Sequence, residues 1–141
     1  MYNERMNFNM IMTEIGSETP IHKVNVDGKG RGRFRVKTFF NFINKRIPYD
    51  LMMGYYVSSL SGVTRGKYNK IAAAVIPSTG DERINTTHEG EFITEEIMFI
   101  DPGAYVLELF ICERPDLGEA SADEFDYREK GFMVSSYFFE V

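Results

Sequence analysis

The thirteen residues Phe99-Ile-Asp-Pro-Gly-Ala-Tyr-Val-Leu-Glu-Leu-Phe-Ile111 constrain this chain more than any other stretch. Asp101-Pro102-Gly103 combines residues that fix or permit turn dihedrals, so the spacing predicts a reversal followed by a strand. In extended chain, Tyr105, Leu107, Leu109 and Ile111 share one face, while Ala104, Val106, Glu108, Phe110 and Cys112 share the other. Both faces are mostly apolar. A strand of that kind needs neighbours on each edge and cover above and below, which predicts a layered β fold.

The remaining chain repeats the period of two. Met6, Phe8, Met10 and Met12 alternate with more polar residues and predict a strand near the start. Ile21, Val24 and Val26 suggest a second short strand, ended by Asp27-Gly28. Phe34, Val36, Phe40 and Phe42 occupy even positions against Arg31, Arg33, Arg35 and Lys37 at odd ones, which predicts a two-faced strand. Pro48 argues against a central ladder position, so 41–50 reads as a connection. Strands are expected over Met52–Leu60, Tyr68–Ile76, Phe92–Ile100 and Phe132–Val141, with 81–91 polar and exposed. Ser121-Ala-Asp-Glu124 has the form of a capping box and predicts one short helix in the acidic 113–130 connection. Seven or eight strands divided by turn signals predict an all-β, two-layer antiparallel sandwich forming a single domain over 1–141.

Composition narrows the setting. At 141 residues, with 43% hydrophobic and 14% aromatic content, the chain can bury a core without a staple. Its longest apolar run, Ile71–Ile76, is far below the roughly 20 residues of a membrane span. The start lacks the charged flank and apolar stretch of a secretory signal, and the single cysteine, Cys112, rules out an intramolecular disulfide. These features lead to the expectation of a cytoplasmic protein.

Ile100-Asp-Pro-Gly-Ala-Tyr105 and the strand behind it resemble the turn-and-tyrosine entry into a late strand of immunoglobulin-like and fibronectin-type sandwiches. That resemblance implies that the Tyr105 hydroxyl ties down the corner. The run from Val26-Asp-Gly-Lys-Gly through Phe39-Phe40-Asn41-Phe42-Ile43, Ile47-Pro48 and Tyr55-Tyr56-Val57 to Pro102-Gly103-Ala104-Tyr105 resembles small bacterial sandwich proteins of unknown function. It implies a fold and no activity. The cysteine pair and buried tryptophan of antibody domains are absent.

Charge is segregated. From Lys23 to Arg46 eight basic residues face one acid, Asp27, in a chain of net charge −5. Arg31, Arg33, Arg35 and Lys37 on one strand face would repeat every ~6.6 Å and concentrate positive potential for an acidic or phosphate-bearing partner. The bland counterpart is a charged, solvated edge strand that resists aggregation. A pI near 5.1 disfavours nucleic acid. The acidic connection lacks the Asp-x-Asp-x-Asp-Gly spacing of a calcium loop, and His22 and His88 have no neighbouring histidine or cysteine at ligand spacing, so no metal or cofactor is expected. Cys112 reads as a buried small hydrophobe. The sequence therefore leads to a non-catalytic binding or assembly module that presents a basic strand face to a protein partner or to itself. The alternative is a small-ligand binder or enzyme with a pocket lined by Tyr55, Tyr56, Tyr68 and one histidine.

Overall fold

The computed structural model describes residues 5–113 and 125–141. Its strands are β1 (Met6–Thr13), β2 (Arg31–Gly32), β3 (Arg35–Arg46), β4 (Leu51–Ser59), β5 (Tyr68–Ile76), β6 (Arg83–Ile93), β7 (Ile97–Met98), β8 (Ala104–Glu113) and β9 (Phe132–Glu140), with one short helix, α1 (Tyr127–Lys130). They pair antiparallel into a three-stranded sheet ordered β1-β3-β6, a four-stranded sheet ordered β5-β4-β8-β9 and a small β2-β7 pair. The two larger sheets face one another as an immunoglobulin-like sandwich.

The core sits where alternation places it. Met6, Phe8, Met10, Met12, Val36 and Phe42 come from one sheet, and Met53, Tyr55, Val57, Leu107, Leu109 and Ile111 from the other. Each apolar side chain so buried contributes about 1.5–3 kcal/mol relative to exposure. β8 has the two covered faces expected of it. Its outward Phe110 and Cys112 join Met52 and Tyr56 beneath Phe125 and Tyr127, which form a second apolar cluster. All nine residues of β4 are buried for the same reason. At the entry to β8 the Tyr105 hydroxyl donates to the Asp101 carbonyl at 2.5 Å, the corner bond the resemblance implies.

The helix that covers the outer cluster runs from Tyr127 to Lys130. Ser121–Glu124 lies outside the described residues; the cap is Asp126, whose carboxylate accepts from the Arg128 and Glu129 amides at 2.9 and 3.3 Å. Docking needs Gly54, because a Cβ there would stand 2.5 Å from the Tyr127 ring. Tyr127 also donates its amide to the Tyr56 hydroxyl at 2.8 Å, and burial pushes that phenol up to about 12. Arg128 then lies over the Tyr68 ring and reaches Ser58 and Glu108 at 2.9 and 2.8 Å.

Five expectations change. Residues 21–26 form no regular strand; they join β1 and β9 through single backbone hydrogen bonds and an isolated bridge of Lys23 to Glu140. β3 runs through Phe39-Phe40 to Arg46, because the register shift between Phe42 and Lys45, with Asn44 at φ 45°, absorbs the break in alternation. The polar segment 81–91 is mostly strand β6, whose few apolar residues leave a weak periodic signal. The strand expected over Phe92–Ile100 is divided between the end of β6 and the two-residue β7, and on β9 a register shift opposite Leu109 and Phe110 leaves Met133 exposed while Phe139 faces inward.

Replacing Gly54 with alanine is expected to displace Tyr127 and cost about 1–3 kcal/mol by overpacking. Urea unfolding of the variant measures this, and unchanged stability would contradict the docking described.

Candidate binding site at the open seam

The two lateral sides of the sandwich differ. On one side residues 20–24 lace the sheets together: Ile21 donates its amide to the Met12 carbonyl, Val24 donates to Glu140, and Glu140 donates to His22, each at 2.8 Å. The Tyr137 hydroxyl adds a bond to the Ile21 carbonyl at 2.8 Å, and its ring stacks on His22 with centroids 5.4 Å apart. β1 and β9 therefore approach closely. No equivalent lacing joins β5 and β6 among the described residues. Among the described residues β5 pairs only with β4 and β6 only with β3, and neither strand holds a single fully buried residue.

Between these two edges lies a cavity of about 590 Å³. Its apolar walls are Phe40, Met53, Ile71, Ala72, Ala74 and Phe92, several of them core residues left partly exposed. Small side chains on β5 create the space. Tyr55 supplies a polar group on the wall: its hydroxyl shares a 2.7 Å hydrogen bond with Thr38, its ring meets Phe92 edge-on at 4.8 Å, and burial raises its pKa. His88 lines the same wall, 6.1 Å from the Phe40 ring, and Glu89, Glu91 and Glu95 stand along the β6 side. A cavity of this size, largely apolar with few polar groups, is of the kind that takes a ligand.

The tyrosine-lined pocket expected from sequence is therefore divided. Tyr55 and His88 meet at the cavity, whereas Tyr56 and Tyr68 pack on the opposite face of the sheet beside Arg128. Adjacent residues of one strand point to opposite faces, so Tyr55 and Tyr56 do not line one pocket. His22 stands on the laced side.

The four basic residues also separate. Arg31 belongs to β2 and bonds Asp27 and Glu96 at 3.1 and 3.3 Å. Arg33 donates its Nε to the Thr94 carbonyl at 3.1 Å. Arg35 and Lys37 do share the outer face of β3, yet β3 is the central strand of its sheet and the two side chains are only 12% and 10% exposed. Three carboxylates cover them. Glu18 reaches Arg35 at 3.0 Å and also bonds Lys37; Glu91 lies 3.6 Å from Arg35, and Glu89 lies 3.2 Å from Lys37. The sequence signal missed here was the Glu89-x-Glu91 alternation, which marks the outer face of β6 as plainly as Arg35-x-Lys37 marks that of β3.

Two groups of this cluster, Glu18 and Lys37, are shifted in defined directions. The hydrogen bond from Lys37, then that from Arg35, holds the Glu18 carboxyl below its ordinary value of 4.5. Its stabilisation is therefore full above that value and lost as pH falls through the lowered one. Lys37 is raised above 10.5, first by Glu18 and then by Glu89, so its contribution disappears only as pH rises through the raised value.

No protein-family model matches the chain, and no curated protein matches it. Solved structures do. A bacterial adhesin from Mobiluncus mulieris with disulfide, isopeptide and ester cross-links is similar at TM-score 0.56 and 12% identity, over 95% of this chain and 53% of the adhesin chain. The alkylpurine DNA glycosylase AlkC of Pseudomonas fluorescens, bound to DNA containing an abasic site analog, is similar at TM-score 0.53 and 12% identity, over 96% of this chain and 30% of that one. The likeness is one of fold. No helix of the described residues is long and apolar enough to cross a membrane.

Replacing Lys37 with methionine leaves three carboxylates facing one arginine, so the urea midpoint at pH 7 is expected to fall. The penalty should shrink at a second, acid pH below the lowered Glu18 value, where that carboxyl has lost its charge. An equal loss at both pH values would contradict the ion-pair account.

Proposed function

We propose that this chain is a non-catalytic binding module whose binding site is the open seam between β5 and β6. The observation that carries this reading is the asymmetry of the sandwich. One side is laced by backbone hydrogen bonds, while the other leaves two strand edges and a 590 Å³ apolar cavity facing outward. Apolar surface held open in this way is stabilised by whatever covers it. The basic residues expected to face a partner enter the reading as support: Arg35 and Lys37 tie the 14–20 loop and β6 to β3 through Glu18, Glu89 and Glu91. The single buried cysteine suits a reducing, cytoplasmic setting. A small-ligand reading is favoured by one observation, the Tyr55–Thr38 hydroxyl pair beside His88, which offers a hydrogen bond within the apolar wall.

Nile red, an uncharged apolar dye, is expected to bind the free chain saturably with a blue-shifted emission. Substitution of Ala74 by phenylalanine fills the cavity and should weaken binding at least tenfold without loss of the folded circular dichroism spectrum. Binding that is unaffected by this substitution would place the site elsewhere.

A further inference from the structure

The cavity has the form of a vacant strand position. Reading across from the laced side, β1 stands by β9, and the sheets run β1-β3-β6 and β9-β8-β4-β5. The three-stranded sheet thus ends one strand short, opposite β5. The edge facing the gap is β6, whose cavity-lining residues are continuous from His88 to Ile93, while β5 lines the far wall continuously from Ile71 to Ile76. Six residues of β5, Ile71 to Ile76, give a seam about 17 Å long.

We propose that the seam receives an extended segment of a partner protein, about six residues long, which pairs its backbone with the free edge of β6. Its alternate side chains are apolar and enter the cavity over Ala72, Ala74 and Phe92. The side chains between them are lysine or arginine. Backbone pairing supplies affinity in this mode, and the alternating pockets supply selectivity. The case for basic residues is charge complementarity. Glu89 and Glu91 lie on the outer face of β6, opposite Phe39 and Lys37 of β3. With Glu18 they set three carboxylates against the two cations Arg35 and Lys37, so the cluster on this outer face carries one net negative charge. Glu95 adds a further carboxylate at the end of the seam. An added strand places its outward side chains about 4.5–5.5 Å from Glu89 and Glu91, where opposite charge is favourable and like charge is not.

This inference rests on the seam being the binding site, and the experiment separates the two claims. A capped peptide alternating valine with lysine and arginine over seven residues is titrated into the full chain by calorimetry. Its counterpart with glutamate in place of the basic residues serves as the comparison. The basic peptide is expected to bind at least tenfold more tightly, to slow amide exchange over His88–Ile93, and to lose binding in Ala74→Phe. Glu91→Lys removes the pairs to Arg35 and Lys37 and so lowers the thermal midpoint, but with its folded circular dichroism spectrum retained it should weaken the basic peptide at least fivefold and strengthen the acidic one. Binding of Nile red with no binding of either peptide overturns the strand proposal and leaves the seam a small-ligand site. Failure of both probes overturns both claims. Dimerisation of the free chain that Ala74→Phe abolishes identifies a second copy as the occupant and overturns the choice of a foreign partner.

Discussion

Burial on both faces of the β4–β8 pair is the constraint from which the rest of this molecule follows. Inward side chains such as Tyr55, Val57, Leu107 and Leu109 need the second sheet, and outward Met52, Tyr56 and Phe110 need the cover of Phe125 and Tyr127. Once those demands are met, the outer strands differ in what remains for them. β9 has β1 and the 20–24 segment to close against, whereas β5 lies at the far end of its sheet with only β4 as a neighbour. The open seam is the remainder of a core satisfied from one side.

The charged groups keep that remainder in shape. β6 is a long strand with little apolar surface, and it is held to β3 by a backbone ladder and by Glu89 and Glu91 over Lys37. Placing a lysine at 8% exposure on a central strand is costly unless carboxylates surround it, and three do. The arrangement also sets Glu18 across the outer face, so the 14–20 loop is fixed by the same pairs that align β6. Arg31, Arg35, Lys37 and Arg46 are thereby answered by carboxylates within the fold, and in the cluster beside β6 the carboxylates outnumber the cations.

Much of this was legible in the chain. The turn at Asp101-Pro102-Gly103, the corner tyrosine, the two-faced β8, the four early methionines and the sandwich itself all follow from local dihedral preference and a period of two. What was not legible depended on registers and distant partners. The β3 bulge at Ile43 and Asn44 carries a strand past a point where alternation fails, and a similar shift in β9 exposes Met133. β6 reads as a polar loop because both its faces are largely solvated. Tyr55 and Tyr56 look like one aromatic feature in sequence and serve opposite faces in space. The pairing of Arg35 and Lys37 with Glu18, Glu89 and Glu91 joins segments many residues apart, which no local pattern encodes.

Amide hydrogen exchange of the free chain, resolved residue by residue, addresses the asymmetry most directly. Strong protection is expected at Val24 and Glu140, whose amides lace one side, together with rapid exchange of those β5 and β6 amides that point away from β4 and β3. Slow exchange at every amide of β5 and β6 would mean that the seam is closed in solution, and the account would be wrong.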